Sequence, residues 1–365
     1  MPDAGEAAGI TLGSEFEVYQ DHNSVHLLGT VVASDLGAFS TRLYAKESKF
    51  ALERDGVALK TRAGKEEQVR VHVADESLKD VVKKIDPNQR IIQLVERDHG
   101  AEFGMALEDG KVIFNIYDPD VTRYGLTRMP FTLEFYSEAI STDINRVIRA
   151  AAHFYWHRRR TQKTGHCLAG KVKIEVSELE QESFDYDDDL NPVVVYGATA
   201  SYDLKAGKEF DLDLAYGWKI VNNCAMSLYP ALFYFDNSDW SISEYRHQAS
   251  CDDADNPNSF LAPYYLPPIT VEQSIVEPPL KGKGHLTVGY GDSGSVPHTF
   301  YLRPEQNVDV GILKLFLSRQ QVSLSHVAQP SPFLAHRAVG PPPEFKNLHL
   351  PWDTIDIPVV QRRAD

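Results

Sequence analysis

Leu228-Tyr-Pro-Ala-Leu-Phe-Tyr-Phe-Asp-Asn-Ser-Asp-Trp-Ser-Ile242 and, after an interruption, Phe300-Tyr-Leu-Arg-Pro-Glu-Gln-Asn-Val-Asp-Val-Gly-Ile-Leu-Lys-Leu-Phe-Leu-Ser318 decide the fold. Both are dense in aromatic and branched residues over a strand's length and are bounded by turn formers, so they read as paired β-strands. Similar short runs at 193–196, 209–214, 218–221, 231–235, 286–289, 298–302 and 312–318 fit an antiparallel β-sandwich over residues 190–363. Residues 237–268, which contain Cys251-Asp-Asp-Ala-Asp-Asn-Pro-Asn258, read as a polar surface insertion. The proline-rich stretch 330–343 reads as extended. Beyond it, Trp352, Ile355, Ile357, Val359 and Val360 predict a tail that docks back as a strand.

Working outward, residues 9–180 predict a β-rich N-terminal domain. Gly13-Ser-Glu-Phe-Glu-Val-Tyr19 and His26-Leu-Leu-Gly-Thr-Val-Val-Ala33 form a hairpin pattern, and runs at 51–59, 68–73, 91–94, 103–107 and 111–117 continue it. Asp109-Gly110 is a two-residue hairpin signal, because such turns need positive φ. One long helix is predicted over 141–160: Ile144, Val147, Ile148, Ala151, Ala152 and Tyr155 recur at helical spacing, with Ser141, Thr142 and Asp143 supplying caps. A shorter helix is predicted over 76–85. The domain boundary is expected in the acidic, turn-rich stretch 184–191. The fold class is mainly β (α+β): two β-rich, sandwich-like domains with the long amphipathic helix between them.

Length and composition bound the function. The chain has 365 residues, 42% of them hydrophobic, and no apolar run long enough to span a membrane, so a soluble protein is expected. A formal charge of −15 disfavours a protein that binds nucleic acid by neutralising phosphates. Cys167, Cys224 and Cys251 share no close spacing, which argues against a disulfide framework and for free thiols. With an acidic N-terminus lacking a basic start and apolar middle, the chain reads as cytoplasmic.

Several constellations contain residue types that can carry chemistry. His153 and His157 lie four apart on the predicted helix, but Arg146, Arg149 and Arg160 share that face and would repel a cation, so a solvated or ion-paired basic face is preferred. Gly165-His166-Cys167 places a base beside a thiol, although adjacent side chains point apart. Asp185-Tyr-Asp-Asp-Asp189 lacks the glycine and terminal glutamate of a calcium loop. Gly289-Tyr-Gly-Asp-Ser-Gly294 stands between two strands rather than before a helix and reads as a hairpin loop. No catalytic residue, metal site or cofactor is expected. The candidate ligand-binding residues are Trp240, Tyr245, Tyr264 and Tyr265, aromatic rings at or near the insertion that could stack on a glycan or small molecule.

Gly13-Ser-Glu-Phe-Glu-Val-Tyr19, Leu28-Gly-Thr-Val-Val32, Gly125-Leu-Thr-Arg-Met-Pro-Phe131, Ala150-Ala-Ala-His-Phe-Tyr-Trp-His157, 228–239, 309–318 and Trp352-Asp-Thr-Ile355 resemble the region that follows the peptidase domain in caspase-like proteins of mushroom-forming fungi. The resemblance extends from about Gly9 to Arg363. It implies an accessory, non-catalytic module for protein interaction or self/non-self recognition, with a protein partner, and it carries over no functional residue. The insertion around Cys251 departs from the pattern. The alternative expectation is a stand-alone binder of a small ligand or glycan, using the aromatic loops.

Overall fold

The structure, a computed structural model, describes residues 10–20, 27–36, 41–46, 56–62, 64, 68–87, 91–161, 168–186, 192–204, 207–245, 279–291, 297–319, 324, 327–334 and 352–363. It is rich in β-structure. The chain divides into two compact units, residues 1–119, 127–160 and 338–351 in the first, and 120–126, 161–337 and 352–365 in the second. Among the described residues no helix is long and apolar enough to cross a membrane.

In the first unit, β1 (Glu15–Tyr19), β2 (Leu27–Leu36), β3 (Thr41–Ala45) and β4 (Val57–Arg62) form an antiparallel sheet in the order β3-β2-β1-β4. Phe16, Val18, Val31 and Ala33 bury its apolar face with Ile10. A second, mixed sheet has the order β6-β5-β7-β8-β9, from β5 (Val69–Val73), β6 (Ile92–Leu94), β7 (Phe103–Glu108), β8 (Lys111–Ile116) and β9 (Arg128–Glu134). β5 runs parallel to both β6 and β7. Parallel neighbours need a crossover, and α1 (Glu76–Ile85) follows β5 to supply it. Asp109 (φ 49) and Gly110 (φ 76) turn β7 into β8 with the expected positive φ angles.

This unit is β-rich as expected, and helices pack on its mixed sheet. After the short α2 (Pro119–Thr122), α3 (Ile140–Arg159) packs with α1 on the mixed sheet. The reason lies in its apolar stripe. Ile144, Val147, Ile148, Ala151, Phe154 and Tyr155 are fully or almost fully buried, and Val69, Val71, Phe103 and Met105 of β5 and β7 are buried with them. The expected caps differ: α3 begins at Ile140 without a side-chain cap, and Asp143 pairs with Arg146 at 2.8 Å.

The second unit is a β-sandwich. One sheet has β11-β10-β13-β16, with β17 also on β13; the other has β12-β19-β18-β14-β15. Their strands are β10 (Val172–Tyr186), β11 (Pro192–Asp203), β12 (Lys208–Phe210), β13 (Ala215–Asn222), β14 (Tyr229–Asp236), β15 (Ile242–Tyr245), β16 (His285–Val288), β17 (His298–Thr299), β18 (Val308–Ser318) and β19 (Trp352–Arg362). Ile174, Val176, Trp218, Ile220 and Leu286 from the first sheet meet Leu232, Leu313, Leu315, Leu317 and Val359 from the second in one core. Each such side chain, fully buried, contributes about 1.5–3 kcal/mol. β18 is central and buried on both faces, since Ile312 and Lys314 are as inaccessible as Leu313 and Leu315. β19, the tail strand, pairs antiparallel with β18 from Trp352 to Arg362.

Three details depart from the sequence reading. The stretch 184–191, expected as a boundary, instead begins as strand, because β10 continues to Tyr186 paired with Pro192. The division between units falls after Arg160. The strands on either side of the glycine-rich run expected as a hairpin loop are not paired with each other: β16 and β17 both pair antiparallel with β13, so they run in the same direction as two pieces of one interrupted strand. Just after β16, Tyr290 accepts from Ser177 Oγ through its hydroxyl, and its ring lies against Gly217, where a Cβ would collide with it.

Candidate functional site

The four aromatic candidates separate. Trp240 follows β14 in a left-handed conformation (φ 56), is fully buried, and lies 6.2 Å from the Phe333 ring, with its carbonyl accepting from Gln329 Nε2. It is part of the fold rather than an exposed stacking platform. Tyr245 lies in β15, half-buried. Tyr264 and Tyr265 lie outside the described residues, as do His166 and Cys167.

Tyr245 belongs to an aromatic corner that the sequence did not reveal. Its hydroxyl shares a 2.8 Å hydrogen bond with His298 Nδ1 on β17, and its ring stands edge-on to Trp218 at 6.2 Å. Tyr234 and Phe300 complete the surroundings of the imidazole, at 5.6 and 4.5 Å between ring centroids. Burial among rings pushes His298 down to about 4, because a charged imidazole loses its hydration there. The same desolvation holds the Tyr245 and Tyr234 hydroxyls well above the usual phenol range. At neutral pH the corner is therefore uncharged. The Trp218 indole N–H, buried nearby, finds no acceptor among the described residues.

A buried ionic centre lies at the end of β14. Arg303 reaches Asp236 Oδ2 at 2.9 Å, Asp239 Oδ2 at 3.0 Å and Asp309 Oδ2 at 3.5 Å. The remaining carboxylate oxygens are also engaged. Asp236 Oδ1 accepts from Ser238 N, Asp239 Oδ1 from Ser241 N, and Asp309 Oδ1 from Val310 N and Ser238 Oγ. Gln306 Nε2 in turn donates to Ser238 Oγ. Desolvation, followed by repulsion from the neighbouring carboxylates, raises Asp236 well above the usual range; desolvation also raises Asp309. Every oxygen is occupied from within, so the arrangement acts as a fastener joining the 236–241 turn to the start of β18. The available signal was Asp236-Asn-Ser-Asp239 closing one apolar strand while Arg303 precedes another that Asp309 helps to open.

Of the helix histidines, expected on a solvated or ion-paired basic face, His153 is partly exposed and His157 is not. His157 and Arg160 are buried, with Arg160 Nη1 3.1 Å from His157 Nδ1, and the His153 and His157 rings meet edge to face at 4.4 Å. Arg159 pairs instead with Glu102 at 2.7 Å. The helix end is occupied by packing that only the folded unit reveals. Among the described residues no group of three or more His, Cys, Asp or Glu side chains could hold a metal ion.

β10 and β11 form a ribbon with exposed side chains. β13 accompanies β10 only as far as Leu179, opposite Ala215; from Glu180 to Tyr186 the described partner of β10 is β11 alone. Glu180, Gln181, Glu182 and Ser183 are exposed. β11 is the last strand of its sheet, and at twelve residues it is the longest of the terminal strands. Such an edge presents a row of backbone donors and acceptors to whatever approaches.

Compared with family models, curated proteins and solved structures, the chain matches none of them. Its reading therefore rests on its own geometry.

Proposed function

We propose that this chain is a non-catalytic interaction and recognition module, and that its contact surface is the β10–β11 ribbon. The observation that carries the reading is the ribbon itself: a two-stranded arm that outruns β13, ends its sheet, and displays exposed carboxylates. An arm of this kind contributes little to burying a core, whereas open edges and projecting charged ribbons suit recognition of another chain. The resemblance of 228–239 and 309–318 to the accessory region of caspase-like proteins agrees with this role and suggests a place beside such a peptidase. The ionic centre of Arg303, saturated from within, reads as a fastener for the sandwich that carries the arm.

A displayed peptide library selected against the purified chain tests the proposal, with counter-selection against a variant carrying Glu180→Lys, Glu182→Lys and Ala198→Lys. Sequences enriched by the native chain and rejected by the variant support it. Enriched sequences indifferent to the variant would move the contact elsewhere, and cleavage of the displayed peptides would make the protein an enzyme.

A second reading, a binder of a small aromatic ligand or glycan, is favoured by the Tyr245–His298 corner with the indole N–H of Trp218, which has no acceptor among the described residues. Its signature is a ligand-dependent rise in melting temperature that Tyr245→Phe abolishes.

A further inference from the structure

We infer that the partner of this arm is an extended, basic segment of another protein that adds to β11 as a further strand of the sheet. The inference rests on the interaction-module reading and names the partner's chemistry. Among the described residues no strand pairs with the outer edge of β11; from Pro192 to Tyr202 it contains no charged residue, and its one proline is its first residue. Natural edges are commonly blunted by lysine, by an internal proline, by shortness or by a bulge, and β11 has only the last, at Thr199, where the register shifts between Ala198 and Ala200. The other terminal strands are shorter, from three residues in β6 and β12 to seven in β9, which also contains Pro130 between Arg128 and Glu134.

The charge beside this edge selects the occupant. On the neighbouring β10, Glu180 and Glu182 are exposed and no lysine or arginine occurs between residues 175 and 186, whereas Glu175 is already paired with Lys173 and Lys219 and Glu178 accepts from the Tyr202 hydroxyl. Glu182 occupies a register irregularity opposite β11, and its side chain lies over Gly197, close enough that a Cβ there would collide with it. A negative group thus stands over the backbone of the edge strand. Backbone hydrogen bonds would hold an incoming strand, and lysine or arginine at alternate positions would meet these carboxylates. A second copy of this chain fits poorly. Pairing β11 with β11 would bring two acidic ribbons together, and like charges across strands are destabilising.

The test uses a twelve-residue peptide of alternating lysine and valine, with a glutamate–valine peptide and a lysine–valine peptide N-methylated at alternate valines as controls. Binding is read by fluorescence anisotropy, and amide hydrogen exchange of the full chain locates it. Expected are binding of the first peptide alone, slowed exchange in 192–203, and affinity about tenfold weaker in Ala198→Lys and in Glu180→Gln with Glu182→Gln. Ala198 is exposed, so the substitution leaves the core intact, and an unchanged urea midpoint verifies this. Failure of the lysine–valine peptide to bind, or binding without protection of β11 or tolerant of N-methylation, overturns the strand-addition inference. In those cases the module reading stands or falls separately on the library selection.

Discussion

The guanidinium of Arg303 holds the carboxylate of Asp236 at 2.9 Å, with the two side chains only 14% and 13% exposed. One cation serves three carboxylates there, so removing it leaves like charges facing one another away from water. Arg303→Met is expected to destabilise the second unit by about 3–5 kcal/mol, while Asp239→Asn costs less because it removes repulsion along with attraction. Urea unfolding followed by tryptophan fluorescence reads the effect, since Trp218, Trp240 and Trp352 lie in this unit. A loss below about 1 kcal/mol would show that the centre is not a fastener.

The pH response of the second unit contains two opposing contributions. His298, pushed down to about 4, binds its proton more weakly when folded, so its contribution is present above the ordinary histidine value of about 6.5 and is lost as pH falls towards 4. Asp236 and Asp309, raised by burial, act oppositely: their contribution is present below about pH 4 and is lost as pH rises through their folded values. Melting temperatures from pH 7 to 4 should therefore fall less steeply in His298→Phe than in the native chain. Parallel curves would remove His298 as the cause.

Gly311 on β18 lies beneath the ring of Tyr234, whose hydroxyl accepts from Gln361 Nε2 at 2.7 Å. A methyl group at 311 would occupy the position of the ring. Gly311→Ala is expected to cost about 1–3 kcal/mol, the range for overpacking, and Gly311→Ala with Tyr234→Leu should recover part of it. Equal losses in the single and double variants, measured by chemical denaturation, would contradict a clash at this contact.

Lys314 is fully buried in the central strand and pairs with Asp356 across to β19 at 2.8 Å. Lys314→Met alone would leave a partly buried carboxylate without this cation and should cost about 2 kcal/mol; Lys314→Met with Asp356→Val should cost less. A double variant less stable than either single one would show that the pair contributes more than its desolvation removes.

The β-rich class, the hairpin at Asp109-Gly110, α1 and α3 were legible because they depend on neighbours in sequence: alternation, helical spacing and a residue pair suited to positive φ. The apolar runs at 228–242 and 308–318 likewise announced strands, as did the apolar cluster after Trp352. What those runs could not express was company. That α3 covers a mixed sheet, that β16 and β17 are pieces of one strand, and that β10 outruns β13 are matters of pairing between distant segments. The same holds for the sites. Trp240 and Tyr245 look alike in sequence, yet one closes a buried turn and the other meets a histidine 53 residues away. Arg303 lies 67 residues from Asp236. Local residue preferences act over a few positions and determined the elements; tertiary burial, which removes water from chosen charges and rings, decided which side chains became a fastener, a neutral corner or an exposed acidic arm.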